Sequence, residues 1–228
     1  MALREGPTPA RFLPEGLVFC VEGNIGCGKS TLVKALMERV AGSGVNVVEE
    51  PVDQWVNHNG KNYLELSYTD PTGYAVPFQN LVFDSYVNVQ RLQNPDIMER
   101  SPMSATRVFC AVNGSRGVIP ATALPGMAAR GEAVMRTIAT RPVFVYLELP
   151  PEECLRRMRR RDRTGEAGVG LDYLRLLHER YEAWLSSAED VERVDASRSR
   201  EEIVDRVIEI LCRRHPRLRA PLTRKSQL

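Results

Sequence analysis

Leu17 to Leu32 reads LVFCVEGNIGCGKSTL, and the reading of this stretch decides the fold. Gly23, Gly28, Lys29 and Ser30 complete the G-x-x-x-x-G-K-[ST] pattern of a phosphate-binding P-loop. The flanks supply what that mechanism requires. Leu17 to Val21 is a short apolar run suited to a buried parallel strand. From Thr31 to Val40, Leu32, Val33, Leu36, Met37 and Val40 recur at helical spacing, which predicts one apolar face. Between strand and helix, glycines let successive N–H groups turn toward one anion, and the helix adds the positive end of its dipole. Gly23, Asn24, Ile25, Gly26, Cys27, Gly28, Lys29, Ser30 and Thr31 are therefore expected to hold the phosphates of a nucleoside triphosphate. Lys29 would pair with the β- and γ-phosphates, and the Ser30 hydroxyl would ligate Mg²⁺. A glycine-rich turn with a chance lysine would need neither the strand nor the helix.

Outside this stretch, strand-like and helix-like segments alternate, the pattern of an α/β fold with a parallel sheet flanked by helices. Val45 to Val48 reads as a second strand ending in Glu49-Glu50-Pro51. Phe78 to Leu92 reads as a helix, and Ile97-Met98 as a brief apolar approach to Glu99-Arg100-Ser101. Val143 to Leu149 is a further buried strand, closed by Pro150-Pro151. Helices are expected over Glu152 to Arg163, Leu171 to Leu185 and Arg200 to Arg213, with a last strand at Val191 to Val194. Residues 1–15, with Pro7, Pro9 and Pro14, read as a flexible leader, 16–213 as the P-loop domain, and 214–228 as a disordered basic tail.

With 228 residues the chain can build a substantial single core. Lys and Arg number 31 against 29 Asp and Glu, a balance that gives no global case for nucleic-acid or membrane binding. No apolar run approaches the roughly 20 residues of a membrane span. The N-terminus shows no charged, apolar and cleavage-site succession, so no secretory signal is expected. The five cysteines, at 20, 27, 110, 154 and 212, form no C-x-x-C pair and suit free thiols in a reducing, cytoplasmic setting.

Other residues decide what the P-loop serves. The N-K-x-D of a GTPase is absent, and Asp70-Pro71-Thr72-Gly73 follows a polar stretch rather than a strand, so it reads as a turn. The apolar strand ending in Asp-Glu of a motor or transport ATPase is absent too. Instead, Glu50 ends the second strand and Glu99 the third. Carboxyl ends of adjacent strands in an open α/β sheet face one crevice, which brings both carboxylates toward the phosphates.

The motifs EGNIGCGKSTL (22–32), EPVDQWVNHNG (50–60), LELSYTDP (64–71), PFQ (77–79), ERSPMSA (99–105), PPEECLRRMRRRDRTGE (150–166) and YLRLLHERYEAWL (173–185) stand in register over residues 16–186. Together they resemble the deoxynucleoside kinase family, P-loop enzymes that transfer the ATP γ-phosphate to the 5′-hydroxyl of a deoxynucleoside. The pyrimidine-accepting branch, thymidine kinases included, is the nearest match, and the short chain with an atypical middle suits a viral member.

The resemblance implies roles. Glu50 is the general base; Glu49, one residue earlier, points to the opposite face of a strand. Arg100 contacts the 5′-oxygen and the transferring phosphoryl, and Glu99 helps Ser30 hold Mg²⁺ through water. Six arginines lie between Arg156 and Arg163, where the family carries a closing lid, about 156–168. Arg157, Arg159, Arg161 and Arg163 form the lid set, with Arg161 and Arg163 on the ATP phosphates. Glu166 and Tyr68 pair on the sugar 3′-hydroxyl. Gln79 pairs with the base, Phe109 stacks on it, and Trp55 and Phe78 line the wall. A glutamine among aromatics fits a pocket, because a buried amide needs a partner. Deoxycytidine- and purine-preferring relatives bring an Arg and an Asp toward the base; those positions here are Tyr86 and Ala105, both uncharged. Ala105 leaves room for a 5-methyl group, so thymidine is the expected substrate, with deoxycytidine a second.

Asn113 to Arg141 departs from the family, with Pro120, Pro125 and several glycines in place of an acidic, tryptophan-bearing helix that contributes to a homodimer interface in relatives. Two other readings stay open. A nucleoside monophosphate kinase would need cations for an acceptor phosphate, for which Arg91 and Arg107 are the spare candidates. A non-catalytic nucleotide-binding protein would have no reason to keep Lys29, Ser30, Glu50 and Arg100 together.

Overall fold

In the computed structural model, which describes residues 10–163 and 165–223, five strands form one sheet. They are β1 (Leu17–Gly23), β2 (Val47–Val48), β3 (Ile97–Glu99), β4 (Arg141–Glu148) and β5 (Val191–Asp195). Their order is β2-β3-β1-β4-β5, and every neighbouring pair is parallel. The α/β class read from the alternating pattern is the one observed. β1 is central, and its run from Val18 to Val21 is apolar and buried, as a parallel strand covered on both faces requires; Glu22, also buried, is the one charged residue in the strand.

The chain turns away from β1 in opposite directions, toward β3 and β2 on one side and β4 and β5 on the other. Such a reversal opens a crevice at the carboxyl ends of the strands. Register sets what faces it. Val21 pairs with Glu99, so the P-loop leaves β1 beside the carboxylate that ends β3.

Helix α1 (Lys29–Val40) buries Leu32, Val33, Leu36 and Val40, but Met37 is 39% exposed and does not belong to that face. Short helices α2 (Asp53–Val56) and α3 (Tyr63–Thr69) precede α4 (Pro71–Gln93). The α4 helix starts seven residues before the expected Phe78. Asp70 caps it by accepting the Gly73 N–H, so the D-P-T-G stretch is a helix start. Pro77 lies inside α4 and has no N–H to give the preceding turn.

After β3 come α5 (Pro102–Ser104), a π-helical segment (Ala105–Cys110) and α6 (Ala111–Ser115). The atypical middle is a folded helix, α7 (Leu124–Ile138), with Pro125 in its first turn. Gly131 lets α7 approach closely: a Cβ there would meet Thr106 Cγ2 at 2.2 Å. The arginine-rich helix is α8 (Pro151–Arg161), starting one residue before and ending two residues before the expected bounds, followed by α9 (Leu171–Leu185) and α10 (Arg200–Arg214).

Both expected loose ends are folded where described. Leu13 is buried, and Asp96, itself fully buried, accepts the N–H groups of Phe12, Leu13 and Asn46 at 3.2, 2.8 and 2.9 Å. Thus residues 10–15 are tied to the start of β3. Beyond Arg214, a 3₁₀ turn (Pro216–Leu218) and α11 (Arg219–Thr223) bury Leu218 and Leu222 against α1 and α10. Two such side chains bury enough apolar surface to contribute about 1.5–3 kcal/mol each, which accounts for order in a segment whose basic composition suggested none. The remaining leader and tail residues, 1–9 and 224–228, lie outside the described residues. All five cysteines are buried free thiols, and no helix among the described residues is long and apolar enough to cross a membrane.

Candidate active site

A cavity of about 790 Å³ opens along the carboxyl ends of the strands, walled by the P-loop, α3, α4, the π-helical segment and α8. At the P-loop, Gly26 has φ +81°, and a Cβ there would lie 2.4 Å from the Cys154 carbonyl oxygen. Only glycine lets the loop lie against the first turn of α8. Asn24 ties the loop from the other side, its amide nitrogen donating to the Leu174 carbonyl of α9 at 2.8 Å. Lys29 is buried and donates to the Asn24 carbonyl at 2.7 Å. The loop thus presents a preformed cradle of backbone N–H groups at the start of α1, the arrangement that suits a polyphosphate.

The carboxylates meet where the sheet register predicts. Ser30 Oγ donates to Glu99 Oε1 at 2.8 Å, and the Glu50 N–H donates to Glu99 Oε2 at 3.4 Å. Hydroxyl and carboxylate together form the sparse oxygen set that Mg²⁺ takes when nucleotide phosphates and water complete its shell. Glu50 Oε1 is 2.9 Å from Arg100 Nε, an ion pair with 14% and 7% of the two side chains exposed. Burial pushes the Glu50 carboxyl above its usual range and Arg100 pulls it back, while Glu99 adds to the upward shift. Glu49 does not line the cavity and instead pairs with the exposed Lys34 at 3.6 Å.

Arg100 has φ +59°, a left-handed conformation that costs a non-glycine residue about 1–2 kcal/mol. Its N–H donates to the Val21 carbonyl at 2.9 Å, and its guanidinium lies 4.9 Å from the Phe109 ring centroid.

α4 supplies one wall of the inner cavity through Phe78, Gln79, Val82 and Tyr86, a set that 3- and 4-residue spacing places on one face. Gln79 is 4% exposed, and its Oε1 has no hydrogen-bond partner among the described residues. Trp55 packs edge-on to Phe78 with centroids 5.6 Å apart, its ring fixed by a 3.1 Å bond from Nε1 to Ser85 Oγ. The opposite wall carries Ala105 and Phe109 from the π-helical segment, together with Tyr68 and Glu166. Unusual helical spacing of this kind often re-aims side chains at a site. All nine residues expected at the acceptor side, Arg100 included, therefore line one cavity.

Over the phosphate end, Arg157, Arg161 and Arg163 line the cavity as expected, but Arg159 does not; it is exposed on the far side of α8, and Arg156 and Arg160 line the cavity instead. Helical geometry explains the change, because the alternate positions 157, 159, 161 cannot share one face. Arg161 and Arg163 both bind Glu166, the latter at 3.4 Å, so the end of the arginine run and the inner cavity meet in one ion cluster. Arg157 is held by Glu153 at 2.9 Å.

Several residues at or behind the site were not singled out from the sequence. Asn113, Arg116 and Tyr173 add to the acceptor wall, with Arg116 over the Tyr173 ring at 5.1 Å. Arg198, Arg200, Ile203 and Val204 close the outer end beside the P-loop. Glu22 and Tyr181, both fully buried, stand behind Arg100.

The deoxynucleoside kinase family model matches residues 19–213, and the chain belongs to this family. A fowlpox virus protein described as a probable deoxycytidine kinase is 34% identical over 172 residues, covering 73% of this chain and 70% of the viral one. Human mitochondrial thymidine kinase 2 is 31% identical over 173 residues, 74% of this chain and 64% of the human protein. Deoxycytidine kinase 2 of Gallus gallus is 29% identical over 193 residues, 72% of each chain. As a member of this family the protein is a nucleotide-using kinase of small molecules.

Proposed function

We propose that the protein transfers the γ-phosphate of ATP to the 5′-hydroxyl of a pyrimidine deoxynucleoside, thymidine foremost and deoxycytidine second. The observation that carries the reading is the Glu50–Arg100 pair, 2.9 Å apart, lining one cavity with the P-loop and with Gln79, whose Oε1 has no partner among the described residues.

The proposed mechanism uses the chain's own residues. Gln79 pairs with the Watson–Crick edge of the base while Phe109 stacks on its face. Tyr68 and Glu166 hold the 3′-hydroxyl, which aims the 5′-hydroxyl at Glu50. Glu50 takes the 5′-hydroxyl proton as the oxygen bonds to the γ-phosphorus and the bond to the β-phosphate oxygen breaks, leaving ADP. A base held above the ordinary carboxylate range by burial accepts that proton more readily. Arg100 faces the charge that spreads over the transferring group, with Lys29, Arg161 and Arg163 on the other oxygens. Ser30 and Glu99 are the residues that would hold Mg²⁺, which when bound neutralises the β- and γ-phosphates.

Thymidine is favoured by an uncharged base pocket, with Tyr86 and the small Ala105 near the base. Monophosphate kinase activity has less support. Of its two candidate cations, Arg107 pairs outward with Glu132 at 3.4 Å, and neither Arg107 nor Arg91 lines the cavity.

Glu50→Gln tests the assignment. The substitution removes general-base work and is expected to lower kcat by about 10²–10⁴ while ATP affinity, read by fluorescence or calorimetry, stays unchanged. Wild-type kcat in this variant would overturn the assignment.

A further inference from the structure

Arg100 is clamped from behind by groups that the transfer step itself does not use. Its Nη1 donates to the Gly23 carbonyl at 3.0 Å and to the Tyr181 hydroxyl at 2.5 Å. The Tyr181 hydroxyl donates onward to Glu22 Oε2 at 3.4 Å, and Ser101 Oγ donates to Glu22 Oε1 at 2.6 Å. Every member of this chain of bonds is buried, Glu22, Ser101 and Tyr181 completely. The partners come from three separate elements: β1, the turn after β3, and α9.

We propose that Tyr181 is a positioning residue for phosphoryl transfer: its hydroxyl, anchored on Glu22, fixes the guanidinium of Arg100 with Nε on Glu50 and Nη2 left for the phosphoryl group. The inference rests on the phosphoryl-transfer reading of Arg100 given above. Arginine is long and rotamer-rich, so an unclamped Arg100 would be ordered only at a cost in entropy during each turnover. Donors fixed in advance where charge develops avoid that cost.

The Tyr181 ring is held independently of its hydroxyl, stacked on Tyr146 at 5.7 Å and 20° and tilted against Trp184 at 6.1 Å. Removing the hydroxyl therefore leaves the packing in place. Because Asn24 bonds the Leu174 carbonyl, the helix that carries Tyr181 also ties the phosphate cradle, so α9 sets the arginine and the cradle in one frame.

The test is steady-state kinetics with thymidine and Mg-ATP on the full chain, comparing wild type, Y181F, E22Q, R100K and the double variant R100K/Y181F, with a thermal melt of each. Losing a hydrogen bond to a charged group predicts a kcat lower by roughly 10- to 100-fold in Y181F, with both KM values within about twofold of wild type and an unchanged melting profile. E22Q is expected to lower kcat in the same way but less, since its amide can still accept from one hydroxyl. In the R100K background Y181F is expected to add no further loss. Wild-type kcat in Y181F, a raised KM with kcat intact, or the same fractional loss with and without Arg100 would each overturn the positioning role. Wild-type kcat in R100K would instead remove the role of Arg100 on which the inference stands.

Discussion

Glu50 and Glu49 are adjacent and alike and both follow β2, which ends at Val48, yet only Glu50 lines the cavity. Glu50 lies against Arg100 while Glu49 reaches out to Lys34. At this scale the proposed chemistry was legible: P-loop, strand-end carboxylates and Glu-Arg-Ser are contiguous in sequence. Glu22 and Tyr181 were not singled out, though each lies inside a quoted motif. A glutamate within an apolar strand was the available signal for Glu22; Tyr181 is one aromatic on a helix's apolar face, where packing is the ordinary explanation.

Two predictions belong here. Ala105→Asp places a carboxylate where the 5-methyl group of thymine would sit, and is expected to depress kcat/KM for thymidine about tenfold or more relative to deoxycytidine, the size of a missing or added pocket contact. Equal slowing of both, measured in one competition assay, would contradict this account of the pocket. The second concerns Glu22, whose carboxyl burial pushes from an ordinary 4.5 up to about 7, with Ser101 and Arg100 opposing. The unfolded chain therefore releases this proton first as pH rises, so the group's contribution is fully present below the ordinary carboxylate range and is lost by about pH 7. The loss amounts to about 3 kcal/mol when complete. Melting from pH 5 to 8 should show wild type losing stability relative to Glu22→Gln; parallel curves would contradict the buried ionisation.

At the scale of elements, β4, α1, α9 and α10 were close to their expected bounds because each has a clean apolar period. α7 was hidden by Pro125, Gly126 and Gly131, although Met127, Val134, Met135 and Ile138 recur at helical spacing and are buried. The π-helical segment has no sequence signature; it packs against α7 where Thr106 meets Gly131. Gly131→Val forces a side chain into Thr106 and Phe83, and overpacking of this kind costs about 1–3 kcal/mol. Because Ala105 and Phe109 share the displaced segment, the KM for thymidine should rise along with the loss in melting temperature. A variant with wild-type stability and KM would show that α7 does not set the acceptor wall.

In the lid, Arg161→Ala is expected to lower kcat at least tenfold, as loss of a charge-stabilising donor does. Arg159→Ala, on the outer face of α8, should stay near wild type. The reverse order would restore the alternate-residue reading of the arginine run.

For the whole molecule, the reversal of strand order about β1 puts P-loop, carboxylates and the inner cavity into one crevice; the alternation of strands and helices made the parallel α/β class legible, while the strand order came only from the structure. The ends were not. Composition pointed to loose termini, whereas Leu13, Leu218 and Leu222 are buried and extend the domain past both expected limits. Isolated apolar residues in proline- and arginine-rich segments show no period, so only the docked structure reveals their partners.

The proposed reaction on one class of acceptor is tested by incubating thymidine, deoxycytidine, deoxyadenosine, deoxyguanosine and thymidine monophosphate side by side with Mg-ATP, with products separated and counted. Monophosphate is expected chiefly from thymidine, less from deoxycytidine and little from the purines. Turnover confined to thymidine monophosphate, or none with any acceptor, would contradict the proposal.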